Sequence, residues 1–339
     1  MKMLVTGGAG FIGSNFIRYI LTKYPSYAVI NYDKLTYAGN LENLRDIENH
    51  PNYSFVKGDI LNTELLNHVM KGVDVVVHFA AETHVDRSIM GADAFVQTNV
   101  IGTFSVMEAA RQNNVKRFHH ISTDEVFGSL GAEGHFHEET PYDPRSPYSA
   151  SKAASDHLVR AYYHTHGLPI TISNCANNYG PNMFPEKLIP LFVTNLIEGK
   201  KVPLYGDGLN IRDWIHVEDH NRAVDMIIHA GKVGQTYCLG AMEEKTNREI
   251  TDLILQKMGF GEEMIEYVED RKGHDRRYAI RPYKAMVELG WKPQITFDQG
   301  IEQTINWYRD NPEWWKRVRS GEYQDYYKKQ YGEKQGMTI

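Results

Sequence analysis

The chain predicts an α/β fold: a doubly wound parallel sheet followed by a smaller C-terminal lobe. Three observations point there. Short apolar runs alternate with amphipathic stretches through the first half, as in successive βαβ units. A glycine-rich turn, Gly7-Gly8-Ala9-Gly10-Phe11-Ile12-Gly13, joins the first apolar run to the first amphipathic stretch. Beyond about Gly180 the alternation gives way to a segment punctuated by Pro181, Pro185, Pro190, Pro203, Gly199, Gly206 and Gly208.

Each element follows from its pattern. Met3–Thr6 is a short apolar strand. Phe11–Tyr24 carries Phe11, Ile12, Phe16, Ile17, Ile20 and Leu21 at helical spacing and must stop before Pro25. Ala28–Tyr32, Tyr53–Lys57 and the wholly apolar Val73–Phe79 read as further strands. Asn99–Gln112 reads as a helix, Arg117–Ser122 as a strand, Ser149–Tyr163 as a helix and Ile170–Asn174 as a sixth strand. The expected division is residues 1–180 as one domain and 181–339 as a second. The Val217–Ala230 helix and the Thr236–Leu239 strand, within roughly 215–240, are placed to return to the first.

Bulk properties narrow the function classes. The 339 residues are twice a typical domain length, and 42% are apolar. A net charge of −6 offers no attraction to nucleic acid or to a membrane surface, so neither is an expected partner. The 2 cysteines, Cys175 and Cys238, lie in apolar stretches and build neither a disulfide framework nor a metal spacing. No apolar run approaches the roughly 18 residues of a membrane span. The first residues run straight into a strand without a leader's apolar core, so a cytoplasmic location is expected. His78, His84, His119 and His120 lie near strand ends without metal-ligand spacing, and no metal is expected. The stretch from Trp307 to Tyr331 interleaves aromatics with Lys and Arg. Asp310, Glu313, Glu322 and Asp325 balance those charges, which favours helices packing onto the lobe over nucleic-acid stacking.

The glycine turn holds both G-x-G-x-x-G and G-x-x-G-x-x-G spacings between a strand and a helix, the context of a Rossmann-like dinucleotide site. Gly7, Gly10 and Gly13 allow the tight turn, the approach of backbone N–H groups to a pyrophosphate, and close packing of the helix. Asp33 follows the second strand, twenty residues after Gly13, where a carboxylate accepts from adenosine ribose hydroxyls and repels a 2′-phosphate. NAD is therefore expected over NADP, with Lys34 alongside pulling the other way. Asp59 follows the third strand and either reaches the adenine or caps a helix.

Two further motifs carry chemistry. Tyr148-Ser-Ala-Ser-Lys152 puts a phenol and an ammonium on one helix face, and a nearby cation favours the phenolate, making a base for a hydroxyl proton. A bound nicotinamide's positive charge would push the same way. Ser122-Thr123-Asp124-Glu125 ends the Arg117–Ser122 strand. Its hydroxyl can bond a reacting hydroxyl, and its paired carboxyls either divide acid and base roles or form a solvated acidic loop.

Together these motifs resemble the extended short-chain dehydrogenase/reductase superfamily, and within it the 4,6-dehydratases of dTDP-glucose. The likeness runs along nearly the whole chain. It includes Tyr32-Asp33-Lys34-Leu35-Thr36-Tyr37-Ala38-Gly39-Asn40, His84-Val85-Asp86-Arg87-Ser88, Asn177-Asn178-Tyr179-Gly180-Pro181, Arg212-Asp213-Trp214 and Gly273-His274-Asp275-Arg276-Arg277-Tyr278. The resemblance implies tightly held NAD that is recycled. It further implies a Tyr148 base supported by Lys152, Thr123 steering the 4-hydroxyl, Glu125 removing the C5 proton and Asp124 protonating the departing 6-hydroxyl. Matching positions imply NAD contacts at Phe11, Ile12, Asp33, Lys34, Leu35, Thr36, Asp59, Ile60, Ala80, Ala81, Thr98 and Asn178. They imply dTDP-glucose contacts at Thr83, Asn177, Lys187, Leu188, Pro203, Tyr205, Arg212, Asn247, Asp270, Arg271 and His274. A homodimer joined through helices Val100–Ala110 and Ser151–Tyr163 is also implied, as is a step toward deoxysugars such as dTDP-rhamnose. The chain departs from the family's habit at Thr83, Cys238 and Lys272 and in a short 125–148 stretch. A UDP-hexose 4-epimerase shares the glycine turn and Tyr/Lys pair but needs no carboxyls after the strand.

Overall fold

In a computed structural model, which describes residues 1–270 and 274–320, Met3, Leu4 and Val5 are all fully buried and their side chains alternate between two cores. Of the residues named above, Arg271, Lys272 and Gly273 lie outside the described residues, as does the chain after 320. The first half contains β1 (Lys2–Thr6), α1 (Phe11–Lys23), β2 (Ala28–Asp33), β3 (Tyr53–Lys57), α2 (Thr63–Val69) and β4 (Val75–His78). It continues with α3 (Val85–Met90), α4 (Asp93–Phe95), α5 (Thr103–Gln112), β5 (Arg117–Thr123), α6 (Pro147–His166) and β6 (Ile170–Cys175). The rest holds β7 (Asn177–Tyr179), α7 (Leu188–Ile197), β8 (Val202–Tyr205), β9 (Ile211–His216), α8 (Val217–Ala230) and β10 (Thr236–Leu239). It ends with β11 (Glu244–Thr246), α9 (Asn247–Met258), β12 (Ile265–Val268), α10 (Tyr283–Leu289), α11 (Phe297–Asp310) and α12 (Pro312–Ser320).

Seven strands pair in parallel in the order β3-β2-β1-β4-β5-β6-β10. Leu4, Val76 and Phe118 pack with Leu66, Val106, Met107 and Val159 of α2, α5 and α6. Met3, Val5, Val75 and Val77 pack the opposite face against Phe16, Ile17 and Ile20 of α1 and Val224 and Ile228 of α8. With helices covering both faces, the central strands β1 and β4 carry unbroken apolar runs, Met3–Val5 and Val75–Val77, instead of alternating. The winding reverses between β1 and β4, which opens a crevice at their carboxyl ends. α8 and β10 join this sheet: β10 pairs with β6, and α8 packs on α1.

Two helices begin elsewhere than expected. α5 starts at Thr103, preceded by a π-helical stretch, Val96–Gly102. Within it the Asn99 side chain accepts from Glu82 N at 2.8 Å and donates to Glu82 O at 3.0 Å and Ser151 Oγ at 2.8 Å. Ile60 lies so close to Gly102 that a Cβ there would meet it at 2.3 Å. α6 begins at Pro147 because Ser146 caps it, with Ser149 reciprocating.

A second core gathers α7, α9, α11 and α12 around β8, β9 and β12. Tyr308 and Trp315 are fully buried there, so the described part of the aromatic C-terminal segment packs inward. β11-β9-β7 forms a small three-stranded sheet and β12-β8 a two-stranded one. Both cysteines are free and buried. His78 bonds Thr6 and Thr103, and His119 bonds Thr171 and Ser173, as satisfied core histidines do. Among the described residues no helix is long and apolar enough to cross a membrane.

Candidate active site

A cavity of about 500 Å³ opens at the carboxyl ends of β1, β4 and β5. Its floor is the glycine turn. Gly7 has φ +71°, and a Cβ there would lie 2.6 Å from Ala80 N, so only glycine lets the turn rest on the end of β4. A Cβ on Gly13 would lie 2.4 Å from Gly7 O; what it must clear is the backbone of the turn, more than the sheet. Gly10 caps α1 without a side-chain bond, which leaves the positive helix end facing the cavity that Gly10, Phe11 and Ile12 line.

Asp33 is buried, and its carboxylate accepts from Ala9 N at 2.9 Å and Leu35 N at 2.8 Å. Burial pushes its pKa up while these two amides pull it down. Leu35 adopts φ +59° to make that bond and does not line the cavity, whereas Lys34 and Thr36 do. Lys34 Nζ lies 2.7 Å from Asp59 Oδ2, so the cation that could have favoured a 2′-phosphate is paired. Asp59 lines the cavity and is no helix cap; Asn62 caps α2 by accepting from Leu65 N. Ile60, Ala80, Ala81, Thr98 and Asn178 line the same cavity. Asn178 Oδ1 is buried there without a hydrogen-bond partner.

The two chemical motifs meet at the far wall. Thr123, Asp124, Glu125, Tyr148 and Lys152 all line it. Thr123 Oγ1 accepts from Glu125 N at 3.2 Å and donates to Asp124 Oδ1 at 3.3 Å, which bends the strand end into a 3₁₀ turn. Asp124 is 1% exposed and its Oδ2 has no hydrogen-bond partner. Burial first, then the Glu125 and Asp213 carboxylates, hold its pKa well above the usual carboxylate range. The tip is therefore no solvated loop.

One expectation is corrected here. The Tyr148 phenol is not lowered: burial, then Glu125, hold it well above its ordinary value, against a hydrogen bond with Thr123. Lys152 is 4% exposed and donates to Ile121 O at 2.8 Å, so its ammonium is committed to the strand and does not offset that push.

The expected sugar-nucleotide residues fall into two groups. Thr83, Asn177 and Lys187 line the cavity, with Lys187 Nζ 3.4 Å from Thr83 O. Leu188, Pro203, Tyr205, Arg212, Asn247, Asp270 and His274 do not. Leu188 starts α7 and packs on the second core, and Pro203 and Tyr205 sit on β8. Arg212 is buried, stacks 4.2 Å from the Tyr278 ring and donates to Asp275 O at 3.0 Å. Asn247 N donates to Asn210 O at 3.0 Å, and Asn210 Nδ2 reaches the same Asp275 carbonyl at 3.2 Å. Asp270 and His274 join side chain to side chain at 2.6 Å. Sequence reasoning missed Glu82, Gln97, Asn182 and Phe184, which also line the cavity. Glu82 follows β4 closely enough for the strand-end rule to have found it; the others enter from loops and a π-helical turn with no such signal.

A β3-β2-β1-β4-β5-β6 parallel sheet with a glycine cradle and a Tyr-x-x-x-Lys pair at one crevice defines a Rossmann-like enzyme of the short-chain dehydrogenase/reductase type. The family model described as GDP-mannose 4,6 dehydratase matches residues 4–304. The dTDP-glucose 4,6-dehydratase of Neisseria meningitidis is 50% identical, covering 95% of this chain and 97% of its own. A Streptomyces venezuelae dTDP-glucose 4,6-dehydratase solved with NAD bound superposes with a TM-score of 0.92 at 49% identity, over 94% of this chain and 100% of that one. UDP-glucose 4-epimerase from Thermotoga maritima has nearly the same fold, TM-score 0.86, at 28% identity over 92% of this chain and 100% of that one. The chain belongs to the dTDP-glucose 4,6-dehydratase family.

Proposed function

We propose that the chain dehydrates dTDP-glucose to dTDP-4-keto-6-deoxyglucose, a hydro-lyase reaction that recycles NAD. The observation that carries it is the acid–base tip Asp124-Glu125 in one cavity with Tyr148 and Lys152. An epimerase needs the latter pair alone. Support for NAD comes from the glycine cradle, the α1 end without a side-chain cap, the buried Asp33 and the orphaned Asn178 Oδ1. Held by these groups, NAD would supply the hydride acceptor for C4 and the hydride donor for C6.

The protein's groups divide the proton work. Tyr148 takes the 4-hydroxyl proton while Thr123 holds that hydroxyl. Burial and Glu125 hold the phenol well above its ordinary value, and the positive charge that NAD would bring beside it works in the opposite direction. Glu125 removes the C5 proton once C4 is oxidised. Asp124, whose pKa burial and the Glu125 carboxylate hold well above the usual carboxylate range, donates to the departing 6-hydroxyl. Lys187 on the cavity wall is the cation suited to the diphosphate, and Arg212 suits it only once it leaves Tyr278 and the Asp275 carbonyl. Residues 1–180 with 215–240 then serve the cofactor, and 181–339 the sugar nucleotide.

We also propose a homodimer, for which Val96 and Ile101 stand exposed on the π-helical stretch before α5 and Phe104 in the first turn of α5. A cytoplasmic location suits two unpaired thiols, and a place in deoxysugar synthesis such as dTDP-rhamnose suits the product. Screening dTDP-, UDP-, CDP- and GDP-glucose for a 4-keto-6-deoxy product in D2O tests the function. Deuterium at C5 of a product formed from dTDP-glucose is the expected result; an unlabelled 4-epimer would overturn it.

A further inference from the structure

Asp156 lies one turn beyond Lys152 and two beyond Tyr148 on the same face of α6, and none of the roles above uses it. It is completely buried, yet its pKa is lowered. Its Oδ2 accepts from Ser122 Oγ at 2.8 Å, Tyr142 OH at 2.7 Å and Asn174 Nδ2 at 3.2 Å. Its Oδ1 lies 3.2 Å from His120 Nε2. Two of these partners belong to the wall that carries the acid–base tip. Ser122 immediately precedes Thr123, and Asn174 Nδ2 also donates to Thr123 O at 3.1 Å. A third donor is oriented from outside, since Arg160 Nη2 donates to Tyr142 OH at 2.8 Å. Asp156 is also the nearby anion that opposes the effect of burial on Lys152. A carboxylate is costly to bury, and a well-packed apolar side chain would serve mere cohesion as well or better. What the carboxylate adds is direction: several donors from β5, β6 and the loop before α6 converge on one point.

We propose that Asp156 is a positioning residue that holds the Thr123-Asp124-Glu125 tip of β5 in register with Tyr148 and Lys152 on α6. Oxidation at C4 and elimination across C5/C6 then act on one pose of the sugar. The inference rests on the dehydration reading above. A displacement of about 1 Å in such a register slows a reaction by as much as about 100-fold.

The test compares Asp156→Asn, Ser122→Ala and Tyr142→Phe with the wild-type holoenzyme on dTDP-glucose, following product formation and the absorbance of enzyme-bound NADH. Asn keeps the size and one acceptor of Asp156 but removes the charge on which the three donors converge and turns an NH2 toward His120; the other two each remove one arm. Expected for Asp156→Asn and Ser122→Ala is a kcat lower by about 10-fold or more with KM changed less than about 2-fold. The bound-NADH fraction should rise at steady state, because oxidation outlasts a displaced elimination tip. Tyr142→Phe should do the same more weakly. If Asp156→Asn fails to fold, Ser122→Ala and Tyr142→Phe decide. Variants that lose only thermal stability, with kcat and bound NADH as in wild type, overturn the proposal, as does a fall in kcat without extra NADH. A wild type that forms no 4-keto-6-deoxy product would instead overturn the dehydration reading, and this proposal with it.

Discussion

At the scale of single residues, the site works by placing two carboxyls in different surroundings. Asp124 is buried with an orphaned oxygen, while neighbouring Glu125 is only half-buried. Desolvation and its neighbour's charge push the buried member's pKa well above the usual carboxylate range, which separates a donor from an acceptor. Replacing Glu125 by Gln leaves Tyr148 and Lys152 intact and removes the base for C5. Single-turnover absorbance should then show bound NADH building up and persisting. Full product formation in that variant would remove Glu125 from its assigned role. Tyr148 carries the complementary lesson. Spacing four residues ahead of a lysine suggests a lowered phenol pKa, but spacing says nothing of burial, which raises it here while the lysine donates to Ile121 O.

At the scale of elements, helix α6 bears the hydride half of the site, and its start decides where Tyr148 points. Ser149 N donates to Ser146 Oγ at 3.1 Å and Ser146 N donates to Ser149 Oγ at 3.0 Å, with Tyr148 between them. Ser146→Ala removes the Oγ that caps Ser149 N, leaves the reciprocal bond from Ser146 N in place, and should cost about 1 kcal/mol. Thermal melts should show a Tm lower by about 2 °C, and the altered first turn should lower kcat as well. An unchanged Tm would mean that tertiary packing alone fixes the helix start. The box was legible in Ser146-Pro147-Tyr148-Ser149, yet apolar periodicity sets in only after it, so a reading by period begins the helix two residues late. The π-helical stretch Val96–Gly102 left no such mark: it depends on Asn99 reaching Glu82 and on Ile60 packing at Gly102, contacts made by segments remote in the chain.

At the scale of the whole molecule, buried histidines couple the fold to pH. His220 is fully buried with both ring nitrogens unpartnered, and burial lowers its pKa to about 3 from an ordinary 6.5. The unfolded chain therefore binds a proton below pH 6.5 that the fold rejects, so stability falls as pH drops from there toward 3. Asp213, raised to about 6, works in the opposite sense between its ordinary 3.8 and 6. A differential measurement isolates the histidine. Between pH 7.5 and 5, denaturant unfolding of His220→Leu should lose about 2 kcal/mol less stability than wild type. Equal losses would mean that the unfolded chain does not expose this ring.

The sequence by itself determined the doubly wound sheet, the return of the 217–239 segment to it, and the cluster of glycines, Asp33, Thr123-Asp124-Glu125 and Tyr148/Lys152 at one crevice. Those follow from local signals: apolar runs that only a sheet covered on both faces can bury, glycines that only a tight turn requires, and strand ends that topology brings together. Tertiary structure alone decided what surrounds each group. It paired Lys34 with Asp59, turned Arg212 onto Tyr278 and Asp275, and set Asp156 at the junction of Ser122, Tyr142 and Asn174. Burial and charge pairing are properties of segments distant in the chain, and the protonation states that drive this chemistry depend on both.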